Sequence, residues 1–287
     1  MKKYILMLGV ITLLFACSKD KTPVTSPNEA DPFVRVDNSS SEADHQIYLL
    51  YQATGVPVLY TDTLTRTPLK TLNVGYHINS YDSLVTTRYL SNAVDILAGV
   101  DFVKNSILPS LGSSLRPYAV LLTDSLYTYA FTYQGKTQVP LNAYLGLQAL
   151  VLGKVSAIKD MPADTLKVYR KDIFKSILTP QLNQHPELLK DFSVVSAAYY
   201  NKYAFGDGSI AGYIPYQPKE AYGLIPDGTE FPNYYPTGDA TTDAISYLNV
   251  VLVLSKDEFE TKYADYPLVL AKYDLIMKVL TTLGFKL

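Results

Sequence analysis

A single cysteine, Cys17, serves a chain of 287 residues. With one thiol the chain cannot close an internal disulfide or build a cysteine zinc site. Its fold must therefore be held by packing and hydrogen bonding alone. Hydrophobic residues make up 48% of the sequence, which is enough apolar material for a sizeable core. The length fits one large domain or two small ones. Basic and acidic residues nearly balance, 25 against 27, so there is no electrostatic footprint for nucleic acid and no nucleic-acid partner is expected.

The position of that cysteine is informative. Met1-Lys2-Lys3 is followed by an apolar run from Tyr4 to Ala16 and then by Cys17. A positive start, a short apolar stretch and a small residue before the cut describe a secretory signal over residues 1–16. The run is shorter than the ~20 residues that a membrane-spanning helix needs. Leu14-Phe15-Ala16-Cys17 resembles a bacterial lipobox, in which the cysteine is lipidated and becomes the first mature residue. Acyl chains such as palmitate would then anchor the chain to a membrane without spanning it. Ser18-Lys19-Asp20-Lys21 partly resembles the charged tags that send some lipoproteins to the cell surface. Residues 17–44 carry Pro23, Pro27, Pro32 and the Ser39-Ser40-Ser41 run, and read as a flexible tether.

From His45 to Leu287 the patterning predicts one α+β domain, mainly helical, with a small mixed or antiparallel sheet. Asp44 is a cap candidate for a helix through Ala53, and Val56–Tyr60 reads as a buried strand. Apolar spacing predicts helices over Ser80–Ala98 and Asp101–Leu108, the latter stopped by Pro109. Tyr118–Leu122, Tyr127–Tyr133 and Ala149–Val155 read as strands, with a hairpin at Asp124-Ser125 between the first two. Leu166, Tyr169, Ile173, Phe174, Ile177 and Leu178 form one helical stripe, bracketed by Pro162 and Pro180. Further helices are expected over Pro186–Tyr203, Asp239–Leu254 and Tyr266–Leu283. Residues 205–239 are rich in Gly and Pro and read as a long irregular segment, packed through its tyrosines.

Few residues point to chemistry. His45, His77 and His185 lie far apart and lack metal-ligand spacing. No G-x-S-x-G elbow is present, and Gly206-Asp207-Gly208-Ser209 follows no expected strand. Asp207, Asp227, Asp239 and Asp243 lack the calcium-loop spacing. The 25 tyrosines are the enriched feature. Tyr213, Tyr216, Tyr222, Tyr234 and Tyr235 offer a binding surface for a peptide or glycan on the 205–239 segment.

Four stretches together resemble a family of zinc-metallopeptidase lipoproteins of glycan-foraging Gram-negative bacteria, associated with outer-membrane nutrient import of the starch-utilisation type. They are Ile47–Tyr51 through Val58-Leu59-Tyr60; Val94–Leu97 with Val100–Lys104, Leu108-Pro109 and the Tyr118–Leu122 strand; Ile173-Phe174 with Pro186-Glu187 and Phe192–Ser196; and Ala271-Lys272-Tyr273 through Leu283–Leu287. The resemblance implies a zincin-like fold. In the family Ile-Phe is followed by H-E-x-x-H, whereas this chain has Lys175-Ser176-Ile177-Leu178-Thr179. The two zinc-binding histidine positions fall on Lys175 and Thr179, and the general-base position on Ser176. A later acidic stretch matches Thr242–Ser246, where Asp243 alone survives. An ammonium offers no lone pair to zinc. The resemblance therefore implies a relative without catalytic or metal-binding residues and without a cofactor, acting as a binding or accessory module beside importer components. An active hydrolase using non-standard metal ligands or carboxylates such as Glu220, Glu230 or Asp243 is the alternative, and a structural surface protein is another.

Overall fold

The computed structural model describes residues 30–74, 85–133, 135–228 and 230–286. The signal peptide, Cys17 and the first part of the tether lie outside these residues, as does His77. The chain divides into two units, Met1–Val34 and Arg35–Leu287. In the first, the described residues include a turn in which Asp31 accepts a hydrogen bond from the backbone of Phe33. Everything below concerns the second.

Its helices are α1 (Glu42–Thr54), α2 (Ala93–Phe102), α3 (Ala163–Gln184), α4 (Lys190–Val194), α5 (Ala240–Val251), α6 (Lys256–Lys262) and α7 (Pro267–Leu283). Its strands are β1 (Val58–Leu59), β2 (Thr63–Arg66), β3 (Leu69–Thr71), β4 (Thr86–Tyr89), β5 (Val120–Thr132), β6 (Gly135–Pro140), β7 (Ala143–Leu145), β8 (Leu150–Leu152), β9 (Tyr203–Phe205), β10 (Tyr213–Ile214) and β11 (Tyr234–Pro236). The result is a mixture of helix and sheet, 46% and 19%.

The core is built on the first residues of β5. Val120, Leu121 and Leu122 are fully buried, as the continuous apolar run requires. They pair in parallel with β1 on one side and with Leu150–Leu152 of β8 on the other, and β7 extends the sheet antiparallel. Beyond Leu122 the same strand pairs antiparallel with β4 and then β6, with Thr123 and Leu126 still buried. The hairpin expected at Asp124-Ser125 is absent because its turn former is occupied. The Asp124 carboxylate accepts from Ser156 Oγ at 2.6 Å and pairs with Arg88, which together hold it below the usual carboxylate range. Its carbonyl accepts from Lys154. The chain turns after Tyr133 instead.

Other local signals lose to tertiary partners. The helix expected from Ser80 starts only at Ala93, where the Asn92 side chain accepts from Val94 N–H. Thr86–Tyr89, inside the expected helix, pair with β5 as a strand; residues 80–84 lie outside the described ones. After α2 the helix loosens to a π turn at Val103–Ile107 and ends in a 3-10 turn at Leu108–Ser110 that contains Pro109. Gly99 lets α2 sit directly on the sheet. A Cβ there would lie 2.6 Å from Val155 Cγ1 and 2.9 Å from Leu122 Cδ1. Helix α3 runs through Pro180 for another turn. Burying Leu182 completely offsets a proline cost of about 3 kcal/mol. The helix expected over Pro186–Tyr203 breaks up after Val194 into turns. There Ser196 is buried and donates to Tyr222 O at 2.8 Å rather than staying on a helix surface.

The tether reading ends earlier than expected. Helix α1 starts at Glu42 with Ser41 as N-cap, not Asp44. Asn38 donates to Asp44 at 2.9 Å and Asp37 pairs with His45 at 2.8 Å, so part of the expected tether is a helix-capping network. Helices α3, α5 and α7 pack around the same core, and Phe285 closes edge-on against Phe174 with centroids 5.0 Å apart.

Helix α5 carries Asp239 as N-cap, its carboxylate accepting from Thr242 N–H at 2.8 Å. That backbone donor holds Asp239 below the usual carboxylate range. A native value below the unfolded one adds stability above the unfolded value and loses it as pH falls through the native one. Asp239→Ala should cost about 1 kcal/mol at neutral pH. Urea unfolding should show the gap between the two proteins closing in acid.

Candidate functional site

The segment between Tyr203 and Pro236 is largely irregular, as expected, but it carries three short strands that pair as a small sheet. Strand β9 is central, parallel to β10 and antiparallel to β11. Alternation along the strands sorts the aromatics. Ala204, Ile214 and Tyr235 are buried on one face. Tyr203 and Phe205, 43% and 45% exposed, stand on the other with Tyr213 and Tyr234. The Tyr203 and Tyr234 rings stack at 5.5 Å and 12°. Tyr213 lies 5.8 Å from Tyr203, and Phe205 meets Tyr213 and Tyr234 edge-on. Four rings therefore form one continuous outward surface.

This divides the five tyrosines expected to bind. Tyr213 and Tyr234 are on the aromatic face. Tyr222 and Tyr235 are buried, and burial pushes both phenols up. Tyr222 OH donates to Pro215 O and Tyr235 OH to Gln217 O, so they pin the segment and offer no face to a ligand. Tyr216 sits edge-on to Tyr235, apart from the four rings. Tyr203 and Phe205 were not singled out in the sequence because they fall at the end of an expected helix and the start of an expected loop. Their alternation with Ala204 was the available signal.

A buried ion pair locks the same segment. Lys219 reaches Asp227 at 2.6 Å and Glu230 at 2.9 Å. Burial would raise the Glu230 carboxyl, but Lys219 and the N–H groups of Asp227 and Gly228 hold it below the usual range.

Asp243 belongs to a second buried cluster. Lys272 on α7 is fully buried and its ammonium donates to Asp243 Oδ2, to Ser196 Oγ at 2.8 Å, and to Gly223 O and Tyr200 Oη at 3.0 Å. Tyr200 OH donates to Asp243 at 2.7 Å. The Phe192 ring lies 4.4 Å from the ammonium and adds a cation–π contact. Burial pushes Asp243 up and Lys272 down, and their mutual attraction opposes both shifts. Gly223 is required here: its φ is +73°, and a Cβ would lie 2.7 Å from Ser196 Oγ.

Lys175 and Thr179, at spacing i, i+4, share one face of α3, and Ser176 flanks it. Together with Leu141, Ala143, Tyr144, Leu145, Asp172 and Pro180 they line a shallow depression of about 420 Å³. Lys175 Nζ donates to Asn249 Oδ1 at 2.7 Å and Ser176 Oγ to Ile173 O at 2.7 Å. Helix α5 thus presents Asn249 to Lys175, and Asp243 does not join these residues. Asp243 Oδ2 instead takes the Lys272 ammonium, while Oδ1 has no hydrogen-bond partner among the described residues. Of the carboxylates in the alternative reading, Glu230 is paired with Lys219 and Asp243 with Lys272. His45 and His185 pair with Asp37 and Glu187. No group of three or more His, Cys, Asp or Glu is placed to hold a metal among the described residues.

No family model, curated protein or solved structure matches the chain. No helix among the described residues is long and apolar enough to cross a membrane.

Removing one member of a buried pair strands the other charge. Lys272→Met should therefore lower stability by about 3–5 kcal/mol. Urea unfolding should show part of that loss recovered when Asp243→Leu is added.

Proposed function

We propose that the protein is a non-catalytic, lipid-anchored binding module, held through Cys17 at the outer membrane beside importer components, with glycan as its ligand. The four-ring surface of Tyr203, Phe205, Tyr213 and Tyr234 carries this reading. A sugar ring presents a flat face of C–H bonds, which an aromatic face can cover while the phenol hydroxyls bond the rim. The rings are held in place by Tyr235 and Ile214 beneath them and by the Lys219 ion pairs, so little ordering is needed on binding. The relationship to zincin-like metallopeptidases is part of the same proposal. Lys175, Ser176 and Thr179 in place of H-E-x-x-H support a relative in which hydrolysis has been lost.

Calorimetric titration of the full chain with neutral oligosaccharides and, separately, with short peptides tests the reading. Oligosaccharides should bind. Tyr203→Ala and Tyr234→Ala should each cost about 1 kcal/mol, roughly fivefold in affinity, while Tyr216→Ala leaves binding unchanged. Binding of peptides alone would replace the ligand class, and no binding of either would leave a structural surface protein. Elemental analysis of the purified chain should find no stoichiometric zinc; tightly held zinc at one per chain would overturn the loss of the metal site.

A further inference from the structure

The depression on α3 has a chemistry of its own, independent of the aromatic sheet. Leu141, Ala143, Leu145 and Pro180 supply an apolar wall, and Tyr144 a ring. Its polar groups gather along one helix face. Two lysines approach here with one carboxylate between them. Asp172 is taken by Lys171 at 3.1 Å and by Asn142 Nδ2 at 2.6 Å. Lys175 has no carboxylate within ion-pair distance among the described residues; its partner is the neutral amide of Asn249. Lys175, partly buried, therefore makes no ion pair of its own. Burial and the neighbouring Lys171 hold it below the usual lysine range, and the nearby Asp172 carboxylate opposes them. An ammonium has three donors, and the Asn249 bond uses one of them. Thr179 Oγ1 makes no hydrogen bond among the described residues, and it lies one turn along the same face.

We propose that this depression is a binding site for a small carboxylate with an apolar tail. The carboxylate meets Lys175 Nζ and the Thr179 hydroxyl, and the tail lies along Leu141, Leu145 and Pro180. The volume falls within the range of small-molecule pockets, and a few converging polar groups on apolar walls are their usual composition. A charge-assisted hydrogen bond to a partly desolvated ammonium is the strong term. Asp172 also lines the depression, and its pairing with Lys171 and Asn142 reduces its repulsion of the anion.

The test uses the full chain in lipid nanodiscs and hexanoate as probe, with hexanamide as its neutral counterpart. Saturation-transfer NMR should detect hexanoate but not hexanamide. Lys175→Met should weaken hexanoate binding about tenfold, Lys175→Arg should retain it, and Thr179→Val should weaken it severalfold. Acetylation of Lys175 by an amine-reactive ester, followed by mass spectrometry, gives a readout on the unmutated protein. Hexanoate should slow that acetylation while leaving Lys256 and Lys278 unchanged. Equal binding of acid and amide, unchanged affinity in Lys175→Met, or no protection of Lys175 would overturn the proposal. None of these outcomes bears on the sugar-binding surface, whose own variants lie on β9 and β11.

Discussion

Taking a lysine ammonium out of water costs several kcal/mol, and Lys272 is taken out completely. The cost is met only if every partner arrives together. Those four partners come from three separate places in the chain: Asp243 on α5, Ser196 and Tyr200 in the turns before β9, and the carbonyl of Gly223 between β10 and β11. One side chain thus joins the helical core to both ends of the tyrosine-rich sheet. Ser196 passes the constraint on to Tyr222, and Tyr222 to Pro215. The aromatic surface is stiff because the segment behind it is tied to a charge that cannot be left unpaired. Buried ion pairs are seldom the cheapest source of stability, but they tolerate few alternative arrangements.

The same residue changes the meaning of Asp243. A carboxylate standing in an acidic stretch looks available to a metal. Here it is spent on Lys272 and Tyr200, with Oδ1 left unpartnered among the described residues. On α3, by contrast, the substituted positions stay together and open to solvent. Lys175 and Thr179 stand one helical turn apart there, with Ser176 beside them. The proposed carboxylate site on this face rests on an ammonium, where Asp243 is committed to one.

The elements most legible in the sequence were those whose apolar pattern needed no distant partner. The stripe from Tyr169 to Leu178 and the final helix from Pro267 appear where periodicity placed them. The misread places share a cause. Asp124 looks like a turn former until Ser156 and Arg88 claim it; Pro180 looks like a stop until Leu182 is buried; Ser196 looks like a helix surface residue until it bonds Tyr222. Each outcome depends on a contact tens of residues away, which no local window contains. The site was half legible for the same reason. Tyrosine enrichment located the segment, but which rings face outward depends on the pairing of Tyr203 with Tyr213 and of Phe205 with Tyr234.

Strand β5 spans two stability regimes within one continuous backbone. Its first three residues lie between β1 and β8 at the centre of the core, where amide exchange requires global opening. Its last residues are paired with β6, every residue of which is exposed. The two halves meet at a register irregularity at Asp124 but stay one strand, so protection falls along it as a gradient. The outer ribbon can fray and reform while the inner end serves as a fixed template. A mechanical load or a partner acting on the ribbon would thus be carried by backbone directly into the core.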